Sequence, residues 1–537
     1  QFLNSSLLSV GFRPFFLLAC LFASLAMGLW AAFWSGHLIM PINPVGGIMF
    51  WHGHEFLMGF ALATVFGFLL TAVQNWTGLK TTTPITLLLV VFSWILARAV
   101  MLFGHDLPII AVTAIVVFPN FICAYMITLP IVRKRAWRNL FAPLALLIIA
   151  SINTVLLLQA SSPSPLTSAL FMVLVLLISL LVSMIGGRVI PMFTANKLGI
   201  SKAVEPQWVF ILSIAPLPLL IILQFFYSTP MAASASGLLL LALFIGHSLR
   251  IAYWFNKGIV AQPMLWSLFL YYACLPIGFL CLALKYYLPE TAIAHGTTAL
   301  HIITVGAIAG LIASMISRVS LGHTGRVINH DNWIVTAFIL LTASLILRTL
   351  LIAIFGFSAQ LISYSAILFS LAFSILFIRF FWVWISPRPD QENIIKYYKS
   401  DSYISHSNES TSLVNVIYKK VRSITLKSKL KMLERFAFKG KLLDYGCGTG
   451  HFLSFTSHNG WNVRGVEPDD TARSQVETKL ANYVCPSLSE LTDNDFDVIT
   501  LFHVLEHVHS LEETLKDLIS RLNRNGVLFL ALPNYKS

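Results

Sequence analysis

Twelve runs of about 20 or more mostly apolar residues recur over the first 386 positions of this 537-residue chain. A helix needs about 20 such residues to cross the hydrocarbon core of a bilayer, where every peptide group must find its hydrogen bond inside its own segment. The runs lie at 12–34, 54–74, 84–104, 107–132, 139–160, 164–186, 207–226, 232–255, 263–288, 294–317, 333–355 and 359–386. Basic residues fall in every second connection: Lys80, then Arg133, Lys134, Arg135 and Arg138, then Arg188, Lys197 and Lys202, then Lys257, then Arg318 and Arg326. The positive-inside rule predicts this alternation for twelve spans with both ends in the cytoplasm, and one missed span would scramble it. Hydropathy sustained beyond residue 34 predicts anchored spans rather than a cleaved signal peptide. The expectation is a multi-pass membrane protein whose first partner is the lipid bilayer.

The charge arithmetic marks a boundary. Only 11% of residues are charged, against roughly 25% in soluble chains, which excludes a wholly soluble globular protein. Residues 1–387 carry 17 Lys and Arg against five acids, whereas 388–537 carry 19 against 18. Two units of different kind therefore meet near Pro387 and Pro389. The net +13 is mostly a set of topology signals, so no nucleic-acid partner is expected. The six cysteines form no CxxC pair, which indicates neither a disulfide framework nor a thiolate zinc site.

Histidines are the chemistry-bearing residues of the first unit. Six of its nine, His37, His52, His54, His105, His295 and His301, fall in outer loops or at outer ends of spans. Ionisable groups at membrane depth are functional candidates, and imidazole binds both metals and haem iron. His52, His54 and Glu55 stand at the mouth of the second run, and His295 and His301 at the start of the tenth. The two groups could converge on one site, candidate metal ligands being His52, His54 and His301. The i,i+2 spacing of His52 and His54 turns them to different faces. Haem, copper and a proton relay all remain open on spacing alone, as does simple capping of helix ends. Gly306 and Gly310 form a GxxxG pattern suited to close helix packing.

Several long motifs carry a family resemblance. GFRPFF at 11–16, WHGHEFLMGFALATVFGFLLTAVQNWTG at 51–78, GGRVIP at 186–191 and HIITVGAIAGLIASMISRVSLGHTGR at 301–326 resemble the NnrS family, over residues 1–386. The resemblance implies an all-α polytopic domain of about twelve transmembrane helices that contains haem, or also copper, and is linked to nitric oxide and nitrosative stress. The family's motif histidines match His52, His54, His301 and His323. His323 falls on the opposite, cytoplasmic side and cannot share a compact site with the others.

Residues 387–440 read as a basic polar linker with a helix. Its periodic apolar residues at 411–437 suit packing on the next domain, and its basic residues suit anionic lipid. From Lys441 strand and helix patterns alternate, with strands expected at 441–445, 462–466, 482–485, 497–502 and 526–531 and helices at 450–459, 469–480 and 511–523. That alternation predicts a parallel, doubly wound sheet. In KLLDYGCGTGHF, Gly446, Gly448 and Gly450 let the backbone turn tightly against a ligand. Asp444 just before them would repel a pyrophosphate, and Glu467 ends the second strand where a carboxylate meets ribose hydroxyls. A cationic nucleoside without phosphate, S-adenosyl-L-methionine, suits this set.

These residues, with FDVITLFHVLEHV at 496–508, resemble class I S-adenosylmethionine-dependent methyltransferases over 394–537. The resemblance implies cofactor binding by Asp444, Gly446, Gly448, Gly450 and Glu467, and offers His503 or His507 as a base toward an unknown methyl acceptor. The HxxEH spacing of His503, Glu506 and His507 also matches a zinc-protease signature, which the strand-and-helix context already explains otherwise. The resembled fold has seven strands, so 441–537 is expected to be an incomplete α/β Rossmann-like methyltransferase domain. The alternatives are a non-enzymatic haem-binding or transport-like protein with an inert partial tail, or an artefactual gene fusion.

Overall fold

Hydropathy over 1–386 is realised as helices. In the computed structural model, which describes residues 5–37, 43–226, 229–288, 297–389, 425–502, 504 and 511–531, twelve helices are long and apolar enough to cross a membrane. They are α1 (Phe12–Trp34), α2 (Gly47–Thr77), α3 (Pro84–Phe103), α4 (Ile109–Arg133), α5 (Trp137–Leu158), α6 (Pro165–Leu198), α7 (Gln207–Phe226), α8 (Pro230–Trp254), α9 (Pro263–Tyr287), α10 (Thr298–Gly322), α11 (Asn332–Phe355) and α12 (Ala359–Ile385). The chain divides after Arg388 into two compact units.

Two helices run well beyond the apolar count. The second begins at Gly47 rather than residue 54, because Gly46 and Gly47 adopt left-handed φ of 74° and 78° and turn the chain into it. The WHGHE segment is therefore inside α2, not at its mouth. The sixth continues to Leu198 and carries GGRVIP within it. Polar and glycine residues lowered hydropathy there without ending the helix.

Small residues and hydroxyls hold the helices together, as expected where lipid removes the hydrophobic drive for helix association. Along α1 and α12, Ser363 donates to the Ala31 carbonyl (3.1 Å) and Ser370 to that of Ser24 (2.8 Å). The GFRPFF motif anchors the same seam: Arg13 donates to the Trp384 and Ser386 carbonyls at 3.0 and 2.7 Å. Between α9 and α10, Gly310 lies under the Tyr271 ring and Gly306 against Cys274, so the GxxxG pattern does serve packing.

Three stretches among the described residues are wound as π-helix: 55–61 in α2, 302–309 in α10 and 347–351 in α11. Such wider turns leave carbonyls without regular partners and recur at functional sites. Trp94 of α3 donates its indole N–H to the Gly59 carbonyl at 3.2 Å.

The second unit opens with α13 at 425–433, a shorter piece of the helix expected at 411–437, of which 411–424 lies outside the described residues. There follow β1 (Lys441–Tyr445), α14 (His451–His458), β2 (Asn462–Val466), α15 (Asp470–Ser474), β3 (Val484–Cys485), β4 (Phe496–Phe502), α16 (Leu511–Ser520) and β5 (Leu522–Ala531). The strands form one parallel sheet in the order β3-β2-β1-β4-β5. The order reverses between β1 and β4, which opens a ligand crevice at the carboxyl ends of these strands. Buried Leu442, Leu443, Val498 and Ile499 make the two central strands apolar on both faces.

Candidate functional site

In α2 the two histidines, two residues apart, face different surroundings. His54 is fully buried: its Nδ1 donates to Glu55 Oε1 (2.8 Å) and its Nε2 lies 2.9 Å from the side-chain amide of Asn153 on α5. The Asn153 Nδ2 has no acceptor among the described residues, and turning that amide lets Nδ2 donate to Nε2 and satisfies both groups. Arg98 of α3 donates to the same Glu55 oxygen at 2.6 Å. This cluster ties α2, α3 and α5 together and uses both nitrogens of His54.

His52 instead stacks on Trp30 of α1, with ring centroids 3.9 Å apart and planes 6° apart. His301 holds its Nδ1–H on the Thr297 carbonyl at 2.7 Å, which leaves Nε2 with a free lone pair. His52 and His301 lie within electrostatic reach of each other and of the Arg348 guanidinium. Beside His52 is a narrow crevice with room for little more than a water, lined by Phe22, Met27, Trp51, Glu55, Phe56 and Phe369. The structure thus places His52 within electrostatic range of His301 and commits both His54 nitrogens to Glu55 and Asn153. His323, at the far end of α10, packs on the Phe12 ring. His295 lies outside the described residues. No group of three or more metal-ligating side chains gathers among the described residues.

A second buried polar network escaped the sequence. Arg250 of α8 pairs with Glu205 of the α6–α7 connection at 3.0 Å and donates to the Ser183 carbonyl and the Tyr272 hydroxyl, each at 3.0 Å. His247 lies 2.8 Å from the same hydroxyl. Gly187 of GGRVIP lies against the guanidinium and Gly186 against the Tyr272 ring, so no larger side chain fits there. The available signal was scarcity: only five acids occur before residue 388, and Glu55, Glu205 and Asp331 each pair with an arginine from another helix.

In the second unit the glycine loop follows β1 at the reversal point. Gly446, Gly448 and Gly450 have φ of 77°, 57° and 73°, conformations that disfavour any side chain. Glu467, at the end of β2, accepts from the Gly448 N–H (2.8 Å) and the Asp469 N–H (3.0 Å). Asp444 is buried and accepts from the Thr500 hydroxyl at 2.7 Å. Burial pushes its carboxyl up to about 6, while the Thr500 hydrogen bond and the Lys429 ammonium act the other way. Lys429 of α13, which the motifs did not reveal, sits 3.9 Å over the Phe502 ring. His503, Glu506 and His507 lie outside the described residues.

Comparison with known proteins decides the family. Residues 6–388 match the NnrS protein family and residues 419–537 a methyltransferase domain. The chain belongs to the NnrS family. The tail of this NnrS chain is similar to ubiquinone biosynthesis O-methyltransferases. One is the ubiquinone biosynthesis O-methyltransferase of Rickettsia bellii (strain OSU 85-389), 29% identical over 104 residues, 18% of this chain and 42% of the relative. Another is that of Coxiella burnetii (strain Dugway 5J108-111), 32% identical over 116 residues, 20% of this chain and 50% of the relative. The chain spans about half the length of the relatives it matches. This member is thus a multi-pass NnrS domain followed by a methyltransferase domain.

Proposed function

We propose that the protein is a bacterial inner-membrane NnrS protein with both termini cytoplasmic, carrying haem or copper at its outer span ends and linked to nitric oxide, with a cytoplasmic S-adenosylmethionine-dependent methyltransferase domain. The alternation of basic connections supports this orientation, which puts the tail in the compartment that holds the cofactor.

The methyltransferase reading is carried by the polarity of the glycine-loop crevice. Its acceptors, Asp444 and Glu467, suit a ligand with an ammonium, a sulfonium and ribose hydroxyls, and disfavour one with phosphates. The transfer is an in-line displacement: an acceptor oxygen or nitrogen forms a bond to the methyl carbon as the sulfonium bond breaks, leaving S-adenosylhomocysteine. The acceptor's proton passes to a base, for which His503 and His507 are the candidates. The similarity to O-methyltransferases favours a hydroxyl acceptor. Proximity and exclusion of water supply the acceleration.

For the membrane unit the donor set fits the implied group. His301 offers Nε2 with its tautomer fixed by a carbonyl, and His52 makes no protein hydrogen bond among the described residues; imidazole suits iron and copper alike. His52 and His301 would hold the metal, and aromatic residues beside His52 would shield one side of it. Bound iron or copper would supply the affinity for nitric oxide.

Both parts are tested on the full-length protein. Isothermal titration with S-adenosylmethionine should show binding that Asp444→Ala and Glu467→Ala weaken; no binding by the wild type would sink the methyltransferase reading. Membranes from haem-replete cells should show a Soret band that His301→Ala or His52→Ala removes, and a wild type without that band would remove haem.

A further inference from the structure

The charges of the second unit are not spread evenly. Six basic residues and one acid fall between Thr425 and Lys441, whereas 442–537 hold seven basic residues against 13 acids. A nearly neutral unit therefore has a basic end and an acidic remainder, a dipole that orients it in the field of a charged surface.

The basic end is also apolar. Helix α13 buries Leu430 and Leu433 in the core of the second unit. Its opposite side presents Lys427 and Lys431, four residues apart, and Arg435 stands four residues on, in the turn that ends the helix. Beside them Met432 is 43% exposed, Phe436 66% and Phe438 96%. Phe436 touches Phe529 of β5, with ring centroids 5.9 Å apart, and Lys439 reaches Glu434 at 3.5 Å. Phe438 buries almost no area on folding, so its ring adds little to the core. Exposed apolar side chains ringed by cations combine the two signals of a surface that lies on an anionic bilayer. The rings match acyl chains, and the cations match the phosphates above them.

The chain brings this face to a membrane whatever its own affinity. Residues 389–424 join it to the twelve spans and reach at most about 130 Å when fully extended. At that effective concentration a modest affinity is enough.

We infer that Lys427, Lys431, Arg435, Met432, Phe436 and Phe438 form a membrane-docking face with which the methyltransferase domain lies on anionic lipid. The inference rests on neither the haem reading nor the cofactor reading.

The test uses the full chain in nanodiscs of phosphatidylcholine, alone or mixed with phosphatidylglycerol. A trace of phosphatidylcholine with a diazirine in its acyl chain is the probe in both, and photolabelled peptides are located by mass spectrometry with the membrane spans as internal reference. One cation near an anionic surface is worth about fivefold in partition. Labelling of peptides covering 432–439 should therefore rise about tenfold or more with phosphatidylglycerol, and fall back at high salt. Lys427→Gln, Lys431→Gln and Arg435→Gln together should abolish that rise. Phe438→Ser, at a position that packs on almost nothing, should lower the labelling in the mixed discs, and hydrogen exchange of β1 and β4 peptides should match the wild type in every variant. If 432–439 stays unlabelled while the spans label, or if its labelling ignores both phosphatidylglycerol and the triple variant, the inference is overturned. Cross-links from Lys431 or Lys439 to another protein surface in place of the lipid label would overturn it as well.

Discussion

Asp444 provides the sharpest quantitative test, because its cost and its use have opposite signs. Its carboxyl is raised from 3.8 to about 6, chiefly by burial. A raised acid binds its proton more tightly folded than unfolded, so stability is greatest below pH 3.8 and falls as pH rises through 6. The interval of about two units corresponds to about 3 kcal/mol of destabilisation at neutral pH. Asp444→Asn keeps the acceptor for Thr500 and removes that charge. The variant should therefore be more stable at pH 7, by up to about 3 kcal/mol, with the gain vanishing near pH 4. Hydrogen exchange of peptides from β1 and β4 in the full chain reads this locally.

The same carboxylate is the counter-charge for a cationic cofactor. Wild-type affinity for S-adenosylmethionine should fall about tenfold between pH 7 and pH 5, as Asp444 protonates. Asp444→Asn should bind weakly and without that slope. A wild-type affinity flat across this range, or an asparagine variant less protected at pH 7, would refute the assignment of strain and binding to one group.

Lys429→Ala removes the cation that holds Asp444 down, so the midpoint of the cofactor pH profile should move to higher pH by calorimetry. Glu55→Ala strands Arg98 and should destabilise the membrane unit by about 3–5 kcal/mol, seen as a lower melting temperature in detergent, whereas Glu55→Gln with Arg98→Met should recover most of it. Gly310→Leu drives a side chain into the Tyr271 ring and should lower that melting temperature by overpacking worth about 1–3 kcal/mol or more. Gly448→Ala places a side chain at φ 57° and should weaken cofactor binding while leaving the haem spectrum unchanged.

The parts of this molecule that were legible in the sequence are those where one residue's own chemistry decides. Apolar runs became helices because lipid permits little else, and the DYGCGTG loop followed from glycines at positive φ. The boundaries of α2 and α6 were misjudged for a physical reason: hydropathy treats His52, His54, Glu55, Gly186 and Gly187 as interruptions. In the folded protein those residues are paired or packed by other helices, through Arg98, Asn153, Tyr272 and Arg250. Such partners lie tens to hundreds of residues away, so no local window contains them. The separation of His52 from His54 was readable from helix periodicity, yet the arrival of Arg348 beside His52 and His301 was not. Arg98 lies 44 residues beyond His54 and Arg348 lies 47 beyond His301, so only the fold shows that Arg98 reaches Glu55 and that Arg348 and His301 meet at Thr297.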